Sequence, residues 1–232
     1  MPTKKLIYAF SCAGCDEPEV LGLEFDANTI ELIADSQETS PDWALLDYCR
    51  CAHCSLEDGR HRHCPLAAAI AGVVHRFAGI LSHDQIFLQV TSEERIVSQT
   101  TTAQRALSAF MGVVMAVSGC PHTAFFKPMA RFHLPLASEK ETIYRSTSMY
   151  LLAQYFRARE GLAVDLSLEG LEKIYRDLQV VNTALVERLR GACKGDSSAN
   201  AVIMLDMYAR IMPYVIADKL VDIRHLFQAY LE

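Results

Sequence analysis

Between residues 49 and 65 the chain reads Cys49-Arg-Cys51-Ala-His53-Cys54-Ser-Leu-Glu-Asp-Gly-Arg-His61-Arg-His63-Cys64-Pro65. Four of the eight cysteines and three of the eight histidines fall in this stretch. Thiolate sulfur and imidazole nitrogen are the donors that Zn²⁺ and iron–sulfur clusters bind, so the chemistry this density implies is metal ligation. Cys51-x-x-Cys54 has the spacing at which two thiolates around a tight turn reach one ion. Cys64 with His61 or His63 offers a second pair, and the short polar loop between the pairs closes at low entropic cost. Cys64 also precedes Pro65, a residue favoured at the first position of a helix. The positive end of that helix would favour the thiolate.

Cys51, Cys54 and Cys64 are therefore the leading ligands. For the fourth, His61 is preferred to His63, because neighbouring residues ligate one tetrahedral ion poorly, and Cys49 competes with both. Zinc is the first expectation. An iron–sulfur cluster is the second, since Cys–Pro closes cluster motifs and both Cys64 and Cys120 precede proline. Four protein ligands make a closed structural site, whereas three leave a position for water and hydrolytic chemistry. The surplus of candidates favours closure. The competing reading is a set of free thiols in a compact loop. Cys12-Ala-Gly-Cys15 is a second CxxC, readable as half of a two-knuckle ribbon, a redox pair, or two thiols at a hairpin tip.

A second group of reactive side chains lies in Ser118-Gly-Cys120-Pro-His122-Thr-Ala-Phe-Phe-Lys127-Pro-Met-Ala-Arg131-Phe-His133-Leu-Pro135. Cys120, His122, Arg131 and His133 could supply a further ligand or an anion or acid–base site. A packed, proline-stiffened core segment is the plainer alternative. No dinucleotide fingerprint, P-loop, GxSxG or HExxH is present, and no motif names a catalytic residue.

The elements that must position these groups can be read from periodicity. Leu6–Phe10 and Leu21–Phe25 favour strands, the turn residues Asp26–Thr29 follow, and Ile30–Ile33 alternates again, predicting a small antiparallel meander. Pro65 opens a helix to about residue 78. Ile86–Val90 and Arg95–Ser98 flank a polar turn as a second hairpin. Thr101 with Gln104 fits a capping box before an apolar helix, Ala103–Val117, ended by Gly119 and Pro121. Ser138 with Glu141 is another capping box, opening a helix to about residue 160. Residues 168–190 carry a clean helical stripe at 171, 174, 175, 178, 181, 185 and 189. Two further helices are expected near 200–211 and 217–230. The expected class is α+β: N-terminal antiparallel β hairpins with a Cys/His metal knuckle, followed by a C-terminal helical bundle. A single domain, 1–232, is expected. Its β-rich portion spans 1–100 and includes the knuckle at 49–65, and its helical portion spans 101–232.

Composition narrows the setting. Hydrophobic residues make up 51% and charged residues 22%, with a net charge of −6, which argues against nonspecific nucleic-acid binding. The longest apolar stretches fall short of the about 18 residues that a membrane span needs, and the N-terminal apolar run turns polar too soon for a leader. A cytoplasmic setting is expected, where clustered cysteines serve as metal ligands more often than as disulfides.

The Cys51–Cys54 and His61–Pro65 motifs, the Thr91-Ser-Glu-Glu-Arg95 turn, Ser118–Pro121, Lys127–Pro135 and Tyr144–Phe156 together resemble a bacterial family with no assigned activity, a domain of unknown function. The resemblance covers most of the chain and implies one full-length domain. Cys12, Cys15 and Cys49 are less typical of its pattern. The function expected is that of a metal-binding protein with a structural site and a binding or regulatory role toward a protein or small-molecule partner. The alternative is an iron–sulfur or open-site redox protein or enzyme whose cleft is formed by residues 118–135.

Overall fold

The computed structural model describes residues 2–12, 17–33, 40–57, 59–77, 79–192, 199–203, 206, 209–210 and 220–232. Four antiparallel strands form one sheet: β1 (Thr3–Cys12), β2 (Glu19–Asp26), β3 (Gln85–Thr91) and β4 (Ile96–Thr102), in the order β2-β1-β3-β4. Two hairpins thus lie edge to edge. They join where β1 pairs with β3, with Tyr8 opposite Val90 and Phe10 opposite Leu88. The expected meander is corrected on this point. Ile30–Ile33 makes only an isolated bridge from Leu32 to Phe25. The Asp26 carboxylate accepts from the Asn28 and Thr29 amides and tightens the turn, Ile30 takes a φ of 54°, and the Leu32 amide donates to the Val117 carbonyl at a helix end.

Alternation puts Leu6, Tyr8, Phe10, Leu21, Leu23, Phe25, Ile86, Leu88 and Val90 on one buried face of the sheet. α1 (Pro65–Arg76) and α2 (Ala103–Val117) share a core with that face. α2 is apolar nearly all round and buries eleven of its fifteen residues, as a central helix must. The cap before it differs from expectation. Thr101 belongs to β4, Thr102 is the N-cap, and its side chain makes no capping bond. β4 runs directly into α2, so the Ala103 and Gln104 amides bond the Asp84 and Ser82 carbonyls instead.

After α2, Gly119 turns the chain at φ 86°. A 3₁₀ turn (Ala124–Phe126) and the short α3 (Lys127–Arg131) follow within the proline-rich 118–135 segment. α4 (Glu139–Arg159) opens with the expected capping box, Ser138 and Glu141 bonding each other's backbone reciprocally. α5 (Glu169–Ala192) follows, and 199–203 is helical. Of the loop and two helices expected beyond residue 192, residues 193–198, 204–205, 207–208 and 211–219 lie outside the described residues, while 206, 209–210 and 220–223 are helical. Arg224–Tyr230 is a 3₁₀ helix. The molecule is α+β, a four-stranded sheet followed by helices, and among the described residues no helix is long and apolar enough to cross a membrane.

Candidate metal centre

Cys51, Cys54 and Cys64 sit on a loop whose base is a miniature ladder. Leu45 and His63 form a bridge, the Leu46 amide donates to the Arg62 carbonyl at 3.0 Å, and the Cys64 amide donates to the Ala44 carbonyl at 2.8 Å. From α5, the guanidinium of Arg188, itself only 2% exposed, donates to the carbonyls of Trp43, Leu45 and Leu46 at 2.7–2.9 Å. A buried cation thus gathers three carbonyls that no strand pairing would satisfy. Above this base, the Cys54 amide donates to the Cys51 carbonyl at 3.0 Å, the tight turn that the CxxC spacing requires.

The turn after α2 packs against this knuckle. His122 stacks on His53 with ring centroids 3.8 Å apart and 2° between planes, and its Nε2–H donates to the His53 carbonyl at 2.9 Å. His53 in turn donates from Nε2 to the Asp177 carbonyl of α5 at 2.9 Å, leaving a buried Nδ1 with no partner among the described residues. This packing brings Cys120 to the other three thiols. Cys51 and Cys64 pack against the core of which Cys120 is part. Burial pushes the Cys51 thiol up to about 12, and the neighbouring Cys64, Cys120 and Cys54 push the same way, while Arg188 opposes them. Burial also raises Cys120, with Cys64 adding to it. Cys54, Cys64 and Cys120 therefore all stand near Cys51, which brings thiols from three chain segments together. As the side chains stand, no group of three or more His, Cys, Asp or Glu among the described residues is arranged to hold a metal ion.

The other candidates separate. His61 is exposed, and His63 takes part through its backbone bridge. Cys49, partly buried, adopts a φ of 46°. Cys12 is disulfide-bonded, and Cys15 lies outside the described residues. The 118–135 group divides into three environments. Cys120 and His122 join the knuckle. Arg131 lies 3.7 Å from Glu94 and over the Phe132 ring. His133 meets the hydroxyl of the fully buried Tyr8 at 2.5 Å, and burial, with Arg145 nearby, lowers its pKa to about 3. Sequence reasoning did not single out Arg188. Its signal was a cation seven residues beyond Val181, on the apolar stripe of α5.

Residues 6–228 match the family described as Domain of unknown function (DUF6901), and the chain belongs to that family. No curated protein and no solved structure matches it.

Proposed function

We propose that this DUF6901 protein binds a metal centre through four thiolates, those of Cys51, Cys54, Cys64 and Cys120. The centre would tie the 42–64 loop to the end of α2 and α5. The observation that carries the reading is the convergence of four thiols from three separate segments. Without a cation, burial and the neighbouring thiols oppose ionisation of Cys51 and Cys120. A bound metal reverses that balance, deprotonating its ligands and converting their repulsion into binding energy. Arg188 supports the same reading. It is buried and has no salt bridge to a carboxylate among the described residues, and it lies close enough to Cys51 to favour the thiolate. A four-thiolate centre carries net negative charge, which a buried guanidinium would offset.

The donor set fits two occupants. An iron–sulfur cluster is favoured because the donors that converge are all thiols, with no imidazole among them. A multi-iron cluster places each cysteine on a different iron and so spans a wider group. Cys64 and Cys120 each precede proline, in keeping with that occupant. When bound, such a cluster supplies one-electron redox chemistry. Zinc is the second reading, supported by the tight Cys51–Cys54 turn. In either case four protein ligands leave no open position for a hydrolytic water. The role that follows is structural, regulatory or electron-carrying.

The test is the Cys54→Ser variant, purified anaerobically beside the parent protein. Loss of bound metal together with a lower melting temperature supports a centre that links the fold. An unchanged melting temperature with lost metal would remove the fold-linking role.

A further inference from the structure

On the far side of α2 from the sheet, the helix, the 126–137 segment, α4 and α5 line a half-open cavity of about 200 Å³. Its wall is mostly apolar, with Val113, Phe126 and Leu178 among the lining residues. An engineered apolar cavity of about 150 Å³ takes up benzene, so this one has room for a somewhat larger molecule. Among its polar lining groups, Asn182, Arg105 and Arg145 stand out. Asn182 on α5 lines the cavity and is 0% exposed, and neither its amide nitrogen nor its amide oxygen has a hydrogen-bond partner among the described residues. An amide buried with both functions unused costs stability, and a helix stripe that otherwise carries Val181 and Leu185 has no packing need for it. Arg105 and Arg145 also line the cavity. Each bonds backbone carbonyls of the 129–136 segment, Arg105 at Leu136 and Arg145 at Met129 and Phe132. Neither forms a salt bridge with a carboxylate among the described residues, and guanidinium donors remain on both.

We propose that this cavity binds a small organic acid with an apolar body, its carboxylate taken by Arg105 and Arg145 and a polar atom met by the Asn182 amide. A planar carboxylate is the group a guanidinium fork recognises best. The apolar wall accounts for the rest of the molecule, and the volume limits that rest to about the size of one aromatic ring or a short branched chain. His133, at the same wall, is neutral under ordinary conditions and adds hydrogen-bonding capacity without adding charge.

The probes are benzoate and its uncharged analogue toluene, titrated calorimetrically and by thermal shift into the full-length, metal-replete protein. Saturable benzoate binding, at least about tenfold tighter than toluene (about 1.4 kcal/mol), is the expected result. The discriminating variant is Asn182→Leu, which fills part of the cavity and removes the unpaired amide. It is expected to abolish benzoate binding, keep the metal content, and raise the melting temperature of the ligand-free protein, because the orphaned polar group is gone. Equal binding of toluene and benzoate would overturn the acid assignment. Absence of saturable binding by either probe, or benzoate binding untouched by Asn182→Leu, would overturn the site.

Discussion

At the scale of single residues, the question is which donors belong to the centre. His61 is exposed, His63 contributes its backbone to the Leu45 bridge, and Cys49 is held on a left-handed backbone turn at φ 46°. His61→Ala, His63→Ala and Cys49→Ser are therefore each expected to retain the metal-to-protein ratio of the parent. Metal loss in any one of them, measured by mass spectrometry, would return that residue to the ligand set. His133 gives a second residue-level expectation. Its folded pKa, about 3, lies below the ordinary 6.5. The unfolded chain thus takes up the proton first as pH falls. The contribution of this group to stability is complete above pH 6.5 and is lost as the pH drops toward 3. In an NMR titration the His133 ring should show no protonation step between about pH 7 and about pH 5. A midpoint near 6.5 would contradict its buried, neutral state. Legibility at this scale was uneven. Cys51, Cys54 and Cys64 were readable because their spacing is local. Cys120 was grouped with His122, Arg131 and His133, because proximity in sequence was the only proximity available. The repeated Cys–Pro pair was the one local sign that Cys64 and Cys120 belong together.

At the scale of elements, α5 acts as the beam on which the knuckle is mounted. Arg188→Met would keep much of the side chain's bulk but remove the guanidinium donors from the Trp43, Leu45 and Leu46 carbonyls, leaving Leu45 only the Tyr48 amide at 3.2 Å. A loss of about 3–5 kcal/mol in urea unfolding is expected, with reduced metal retention. A change below about 1 kcal/mol would show that water satisfies those carbonyls as well as Arg188 does. For α4, Ser138→Ala removes a capping box formed on both sides, and about 1 kcal/mol should be lost by the same measurement. Helix starts such as Ser138 and Pro65 were legible because their signals are chemical and local. The Thr101 cap was misplaced by one residue, because a strand feeding straight into a helix lets distant carbonyls replace a side-chain cap. The polar residues of α5 were masked by the strength of its apolar stripe. Asn182 and Arg188 are both buried, so a polar residue falling on such a stripe is itself the signal.

Over the whole molecule, the order β2-β1-β3-β4 is what would make the proposed centre possible. Pairing β1 with β3 brings two hairpins together across the inserted knuckle and α1, and it seats α2 so that its C-terminal turn reaches Cys51 and Cys64. Sequence patterns recover the strands and helices but not this crossover. It is decided by which hairpin edges and which buried faces fit, and that depends on contacts far apart in the chain. The most direct test of the central claim is combined metal and acid-labile sulfide analysis, with a visible spectrum, on anaerobically purified parent protein and its Cys120→Ser variant. Bound metal in the parent, as iron with sulfide and visible colour or, on the second reading, as colourless zinc, lost in Cys120→Ser, is the outcome this account predicts. A parent protein without metal, or a Cys120→Ser variant that keeps its full metal content, would contradict a centre built on Cys51, Cys54, Cys64 and Cys120.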